Sequence, residues 1–126
     1  MVDVVASIMI RDVITCDAND SVQEAANIMK DNGIGSLIIT EKNNPAGIVT
    51  ERDLVQKVLS KNLDASKTKI KKIMSFPLKS ITSRETIEYA SQYMREHKIK
   101  KLPVIDDGEL IGIITQTDIV RYYQVA

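Results

Sequence analysis

Apolar and polar positions along the chain keep first a helical period and then a strand period, and the succession occurs twice. From Ser21, the apolar residues Val22, Ala25, Ala26 and Met29 follow the i, i+3, i+4, i+7 stripe of a helix with one buried face. Ser21 and Glu24 have the spacing of a capping box, and Gly33 is suited to end the helix in a left-handed conformation. A short strand precedes the helix around Val13 to Cys16. Two apolar strands follow it, Ser36 to Thr40 and Ala46 to Thr50, joined by a Lys-Asn-Asn-Pro turn. A second helix starts at Glu51, with Leu54, Val55, Val58 and Leu59 apolar.

The same order returns at an offset of 65 residues, the distance from Ile8 to Ile73, without a gap from Ile8 to Val58. Ile8-Met9 falls on Ile73-Met74, Ala25 on Ala90, Met29 on Met94 and Leu37 on Leu102. Gly47-Ile48 falls on Gly112-Ile113, Thr50 on Thr115, Asp53 on Asp118 and Val55 on Val120. The second copy therefore predicts a strand over Leu78 to Ile81, a helix carrying Ile87, Ala90 and Met94, strands Leu102 to Ile105 and Leu110 to Thr115, and a helix from Gln116. Asp106-Asp107-Gly108 supplies a tight hairpin turn, and Lys98 stands where the first copy has Gly33. The expected fold class is α/β (α+β), two β-α-β-β-α units packed face to face because neither buries its apolar side alone. The polar stretch from Ser60 to Lys69 links them, which sets repeat 1 at residues 1–64 and repeat 2 at 65–126.

Composition narrows the function. Seventeen Lys and Arg balance seventeen Asp and Glu, so the net field favours neither nucleic acid nor an anionic membrane. The cluster Lys67, Lys69, Lys71 and Lys72 reads as a solvated stretch. A single cysteine, Cys16, excludes an internal disulfide and a multi-cysteine metal cluster, and reads as a small buried or cleft-lining residue rather than a nucleophile. With no apolar run long enough for a membrane span and no signal pattern, the expected place is the cytoplasm. The sole His97 has no ligand partners in a metal spacing, and no GxGxxG or Walker motif occurs, so no enzyme, metal or cofactor is expected.

Gly47-Ile-Val-Thr-Glu-Arg-Asp53 and Gly112-Ile-Ile-Thr-Gln-Thr-Asp118, the openers Ile8-Met9 and Ile73-Met74, and Leu102-Pro103-Val104-Ile105-Asp106 together resemble the CBS domain. The first copy departs at Leu37-Ile38-Ile39, which lacks the proline. The resemblance covers nearly the whole chain. It implies a tandem pair about a pseudo-two-fold axis, adenosine-containing ligands in clefts between the repeats, and regulation of a separate, unknown partner protein. It also implies a homodimer.

The residues suit a nucleotide. A carboxylate can accept hydrogen bonds from both hydroxyls of a ribose, and Asp53 and Asp118 each stand in the first turn of a helix, with Thr50 and Thr115 one turn earlier. Gly47 and Gly112 would let the backbone approach a bound group closely. Thr-x-x-Asp is also a capping pattern, so both roles stay open. The acid makes that helix end a poor phosphate site. By resemblance, phosphate contacts come from Lys100 and Lys101 for the Asp53 cleft, and from Gly35 and Ser36 for the Asp118 cleft. Arg52 is a further candidate, and the alternative for Lys100 and Lys101 is a solvated pair flanking an apolar strand. The Asp53 cleft is thus expected to favour AMP, ADP or ATP, and the Asp118 cleft to bind more weakly or to take a less charged ligand. By the same resemblance, adenine rests on Lys79, Ser80 and Ile81 in one cleft and on Ile14, Thr15 and Cys16 in the other. Ile48 and Ile113 would sandwich the ring or simply fill the core. The other readings are a pure interaction module, an S-adenosylmethionine or NAD site, and nucleic-acid binding, against which scarce aromatics argue.

Overall fold

A computed structural model describes residues 3–125. The first repeat contains β1 (Thr15–Asp17), α1 (Val22–Asn32), β2 (Ser36–Glu41), β3 (Asn44–Thr50) and α2 (Glu51–Asp53). The chain continues from α2 as a π-helix over Leu54–Leu59. The second repeat contains α3 (Ile87–His97), β4 (Lys101–Asp106), β5 (Glu109–Thr115) and α4 (Gln116–Val125). The mixed α/β class and the repeated helix, hairpin and helix order are as the sequence predicts.

The described residues form two compact units, one of residues 14–78 and the other of residues 3–13 together with 79–125. The repeat boundary at 64/65 marks sequence similarity, whereas the units divide elsewhere. Each unit is completed by the lead segment of the other repeat. In the unit of residues 14–78, a 3-10 turn over Ile70–Lys72 donates from Ile70 and Lys71 to the carbonyls of Asp20 and Ala18, at 3.0 Å each. Ser75 and Ile48 then exchange backbone hydrogen bonds of 2.9 and 3.1 Å. The other unit repeats the arrangement: the turn Val5–Ser7 donates from Val5 and Ala6 to Glu85 and Ser83, and Ile10 exchanges bonds with Ile113.

In the unit of residues 14–78, β2 pairs in parallel with β1 and antiparallel with β3. Its hairpin turns at Lys42 and Asn43, both with positive φ, as a two-residue turn matched to strand twist requires. In the other unit β4 pairs antiparallel with β5 through Asp107 and Gly108, again both at positive φ. The strand expected over Leu78 to Ile81 is reduced to one bridge between Ile81 and Val104. Pro103 accepts from Ile81 through its carbonyl at 3.0 Å, but it has no N–H to carry the ladder back toward Lys79. Likewise the strand expected at Val13 to Cys16 lies over Thr15–Asp17.

The first long helix is capped as its sequence predicts, and Thr86 caps α3, accepting from the Tyr89 N–H at 3.0 Å. Ser21 accepts from the Glu24 N–H at 3.1 Å while Glu24 reaches back to Ser21. Gly33 ends α1 at φ 63°, and Lys98 adopts the same left-handed geometry after α3 at φ 54°, paying the Cβ strain that glycine avoids. The apolar stripes bury Val22, Ala25 and Met29 against β2 and β3, and Ile87, Ala90 and Met94 against β4 and β5. Each core also receives a residue from a lead segment, Ile70 in one unit and Val5 in the other, both fully buried.

Candidate functional site

The strand–helix junctions of the two repeats carry the candidate chemistry. In the first, Thr50 caps α2: its hydroxyl accepts from the Asp53 N–H at 3.2 Å. Asp53 Oδ2 accepts from the Thr50 N–H at 2.9 Å and from the Thr50 hydroxyl at 3.2 Å. The second junction is built alike, with Asp118 Oδ2 accepting from the Thr115 N–H at 3.0 Å and its hydroxyl at 2.8 Å. The capping role is therefore filled in both copies. It uses one carboxylate oxygen and leaves the other.

The remaining oxygens differ. Asp53 Oδ1 lies 3.1 Å from Lys57 Nζ, and Lys57 also donates to the Ile73 carbonyl at 3.0 Å. Asp53 is 9% exposed, the one buried charged residue among the described residues, so an ionic partner is what its desolvation demands. Position 122, equivalent to Lys57, is a tyrosine whose hydroxyl donates to the Asp3 carboxylate. Among the described residues no donor engages Asp118 Oδ1, and Asp118 is half-buried. Lys57 did not figure in the reading of the sequence. Its position four residues after Asp53 on a helix was the available signal.

Gly47 and Gly112 have a different role from the expected one. A Cβ on Gly47 would lie 2.7 Å from the Ser75 carbonyl and 2.9 Å from Met74 Sδ. On Gly112 it would lie 2.7 Å from Met9 Sδ and 3.0 Å from the Ile10 carbonyl. What approaches these glycines closely is the lead segment within each unit, not a bound group.

The other candidates fall as follows. Ile14 and Thr15 are exposed, and Cys16 is buried with its thiol donating to Asp20 Oδ2 at 3.3 Å. Burial, then the Asp20 hydrogen bond, push that thiol up to about 12, so it carries its proton at neutral pH and is no nucleophile. Lys79 is exposed and Ser80 half-buried. Ile81 was expected to offer its backbone to a base, but its N–H and carbonyl are already bound to Pro103 and Ile105. Ile48 and Ile113 are half-buried, with their peptide groups held by Ser75 and Ile10. The Gly35 carbonyl accepts from the Glu51 N–H at 3.0 Å, and the equivalent Lys100 carbonyl from Gln116 at 2.9 Å, so each anchors a helix start. Lys100 and Arg52 are exposed, and Ser36 and Lys101 half-buried. The lysine cluster from Lys67 to Lys72 is solvent-exposed.

A groove of about 740 Å³ opens between α3 and α4, floored by Met94, Ile119 and Tyr123 and bordered by Arg95, Lys98 and Lys100. Neither Thr115 nor Asp118 lines it. Among the described residues, no helix is long and apolar enough to cross a membrane.

Comparison with known proteins agrees with this architecture. The CBS domain family matches residues 5–60 and 70–125, so the chain belongs to that family and is a tandem CBS pair, a regulatory module. Protein MK0525 of Methanopyrus kandleri is 41% identical over 88% of this chain, which spans 58% of that protein's length. A protein with CBS domains from Burkholderia ambifaria has a similar structure, with a TM-score of 0.90 and 32% identity over 98% of this chain and 95% of that one. The CBS domain pair of protein MJ0100, solved with 5′-methylthioadenosine and S-adenosyl-L-methionine, has a TM-score of 0.87 and 29% identity over 99% and 98%.

Proposed function

We propose that this CBS pair is a non-enzymatic cytoplasmic sensor that binds an adenine nucleotide by its ribose and signals the occupancy to a separate protein. The observation that carries the reading is the Asp118 carboxylate, which is fixed by its cap through one oxygen and keeps the other for a sugar hydroxyl. A carboxylate held in place before the ligand arrives loses little freedom on binding. Thr115 shares the junction, and Asp53 with Thr50 forms the equivalent position. The adenosyl ligands of the MJ0100 pair support the same ligand class here. They also favour a second reading, in which the ligand is S-adenosylmethionine rather than AMP, ADP or ATP.

The base would meet the backbone of Lys79 and Ser80, or of Ile14. The phosphates would turn to Lys100, Lys101 or Arg52, since an acid sits at each helix start. Exposed apolar side chains at Val55, Leu59, Val120 and Tyr123 suit a homodimer through the helical faces.

A thermal-shift series with AMP, ADP, ATP, S-adenosylmethionine, NAD and a short DNA duplex tests the function. Binding to the native state alone raises the melting point with ligand concentration, by mass action. A concentration-dependent rise with at least one adenosyl compound is expected. A rise with the duplex alone, or with nothing, would refute the sensor reading.

A further inference from the structure

We infer that Lys57 is a specificity-determining residue that closes the first-repeat carboxylate to sugar hydroxyls, so that Asp118 is the tighter ribose site. This rests on the ribose-binding reading above and reverses the ranking expected from the sequence, in which the first site was the stronger.

The argument starts from the oxygen count. A carboxylate that takes a ribose diol needs oxygens free of stronger partners. At Asp53, Oδ2 accepts two bonds from Thr50, and Oδ1 faces an ammonium at 3.1 Å. At Asp118, Oδ2 accepts the same two bonds from Thr115, and Oδ1 is engaged by no donor among the described residues. A neutral hydroxyl competes poorly with a charged donor for one oxygen, because charge-assisted hydrogen bonds are the stronger.

The lysine is also held from its other side. Its Nζ donates to the Ile73 carbonyl at 3.0 Å, and its side chain is 40% exposed against 12% for Asp53. A ligand that displaced it would leave the Ile73 carbonyl without that donor. Ile73 lies directly before Met74 and Ser75, the lead-segment residues packed on Gly47. Tyr122 cannot take the equivalent part at Asp118, since its hydroxyl is donated to Asp3.

The first-repeat site is thus competent only in the fraction of molecules whose Lys57 has left Oδ1, and its apparent affinity falls by that fraction. For a partly exposed ion pair this amounts to about fivefold.

The test uses adenosine, which has the diol but no phosphate, and 2′,3′-dideoxyadenosine, which has neither. Asp118→Ala isolates the first-repeat site, Asp53→Ala isolates the second, and Lys57→Met removes the ammonium while keeping the aliphatic stem. By calorimetry, Asp53→Ala should bind adenosine more tightly than Asp118→Ala. Adding Lys57→Met to Asp118→Ala should tighten adenosine about fivefold, with no gain for the dideoxy compound. Equal gains for both compounds, no gain, or tighter binding to Asp118→Ala than to Asp53→Ala would overturn the role of Lys57 while leaving ribose binding intact. No adenosine binding by the unmodified protein or any variant would refute both. If Lys57→Met does not fold, Tyr122→Lys in Asp53→Ala serves instead. It should weaken adenosine at Asp118, and unchanged affinity would overturn the inference.

Discussion

Gly47 and Ser75 lie so close that a single methyl group on the glycine would stand 2.7 Å from the serine carbonyl oxygen. The two residues come from different repeats and meet where Ser75 and Ile48 exchange their backbone hydrogen bonds.

Gly47→Ala should therefore push the lead segment off β3. Overpacking of this kind costs about 1–3 kcal/mol. Urea unfolding should show a lower midpoint for Gly47→Ala. Gly33→Asn provides the contrast, since nothing lies within 4 Å of a Cβ there and asparagine tolerates the left-handed φ of 63°. It should lose about 1 kcal/mol or less, from the left-handed backbone alone.

The repeat, the capping boxes and both hairpins were legible in the sequence because each is a local pattern. Ser21 and Glu24 stand only three residues apart, and Asp107 and Gly108 are adjacent. The partners of Gly47 and Gly112 were not legible, since a glycine records that something comes near without recording what. Lead segments pair with strands of the other repeat, and no local period encodes such a pairing. Asp53 and Asp118 occupy equivalent positions and looked alike. The difference between them resides at positions 57 and 122, four residues further on.

Cys16 should make the protein sensitive to alkali. Its thiol is pushed up to about 12 in the folded state, while an unfolded thiol titrates near its ordinary value of 9.0. Below 9.0 both states hold the proton and the stability is fully present. Above it the unfolded chain releases its proton first, so stability falls as pH rises toward about 12. Denaturation across that range should show a smaller loss for Cys16→Ala. In the native protein at pH 8, iodoacetamide should alkylate the thiol far more slowly than after unfolding.

Asp106 sets a limit on the acid side. Ser83 donates to it twice, from its N–H at 2.9 Å and from its hydroxyl at 2.6 Å, and these bonds hold its carboxyl below the ordinary 3.8. A depressed folded value contributes stability above the unfolded value, lost as pH falls through the folded one. Ser83→Ala removes the hydroxyl bond, so its melting point should fall less steeply than that of the unmodified protein as the pH is lowered below 3.8.

Lys101 discriminates the phosphate reading from the solvated-pair reading. Lys101→Ala should weaken AMP and ATP more than adenosine in calorimetric titration, because only the phosphorylated ligands meet its charge. Equal losses for all three would leave Lys101 with no phosphate role.

The lead segments place the chemistry under a constraint of connectivity. Residues 3–13 complete one unit and residues 70–78 the other, so a gene cut at the repeat boundary would encode two fragments, each carrying the opening turn that its counterpart needs. A lone half could regain its missing edge only by borrowing it from another molecule. Duplication within one polypeptide supplies that loan covalently, at a fixed stoichiometry and without dependence on protein concentration.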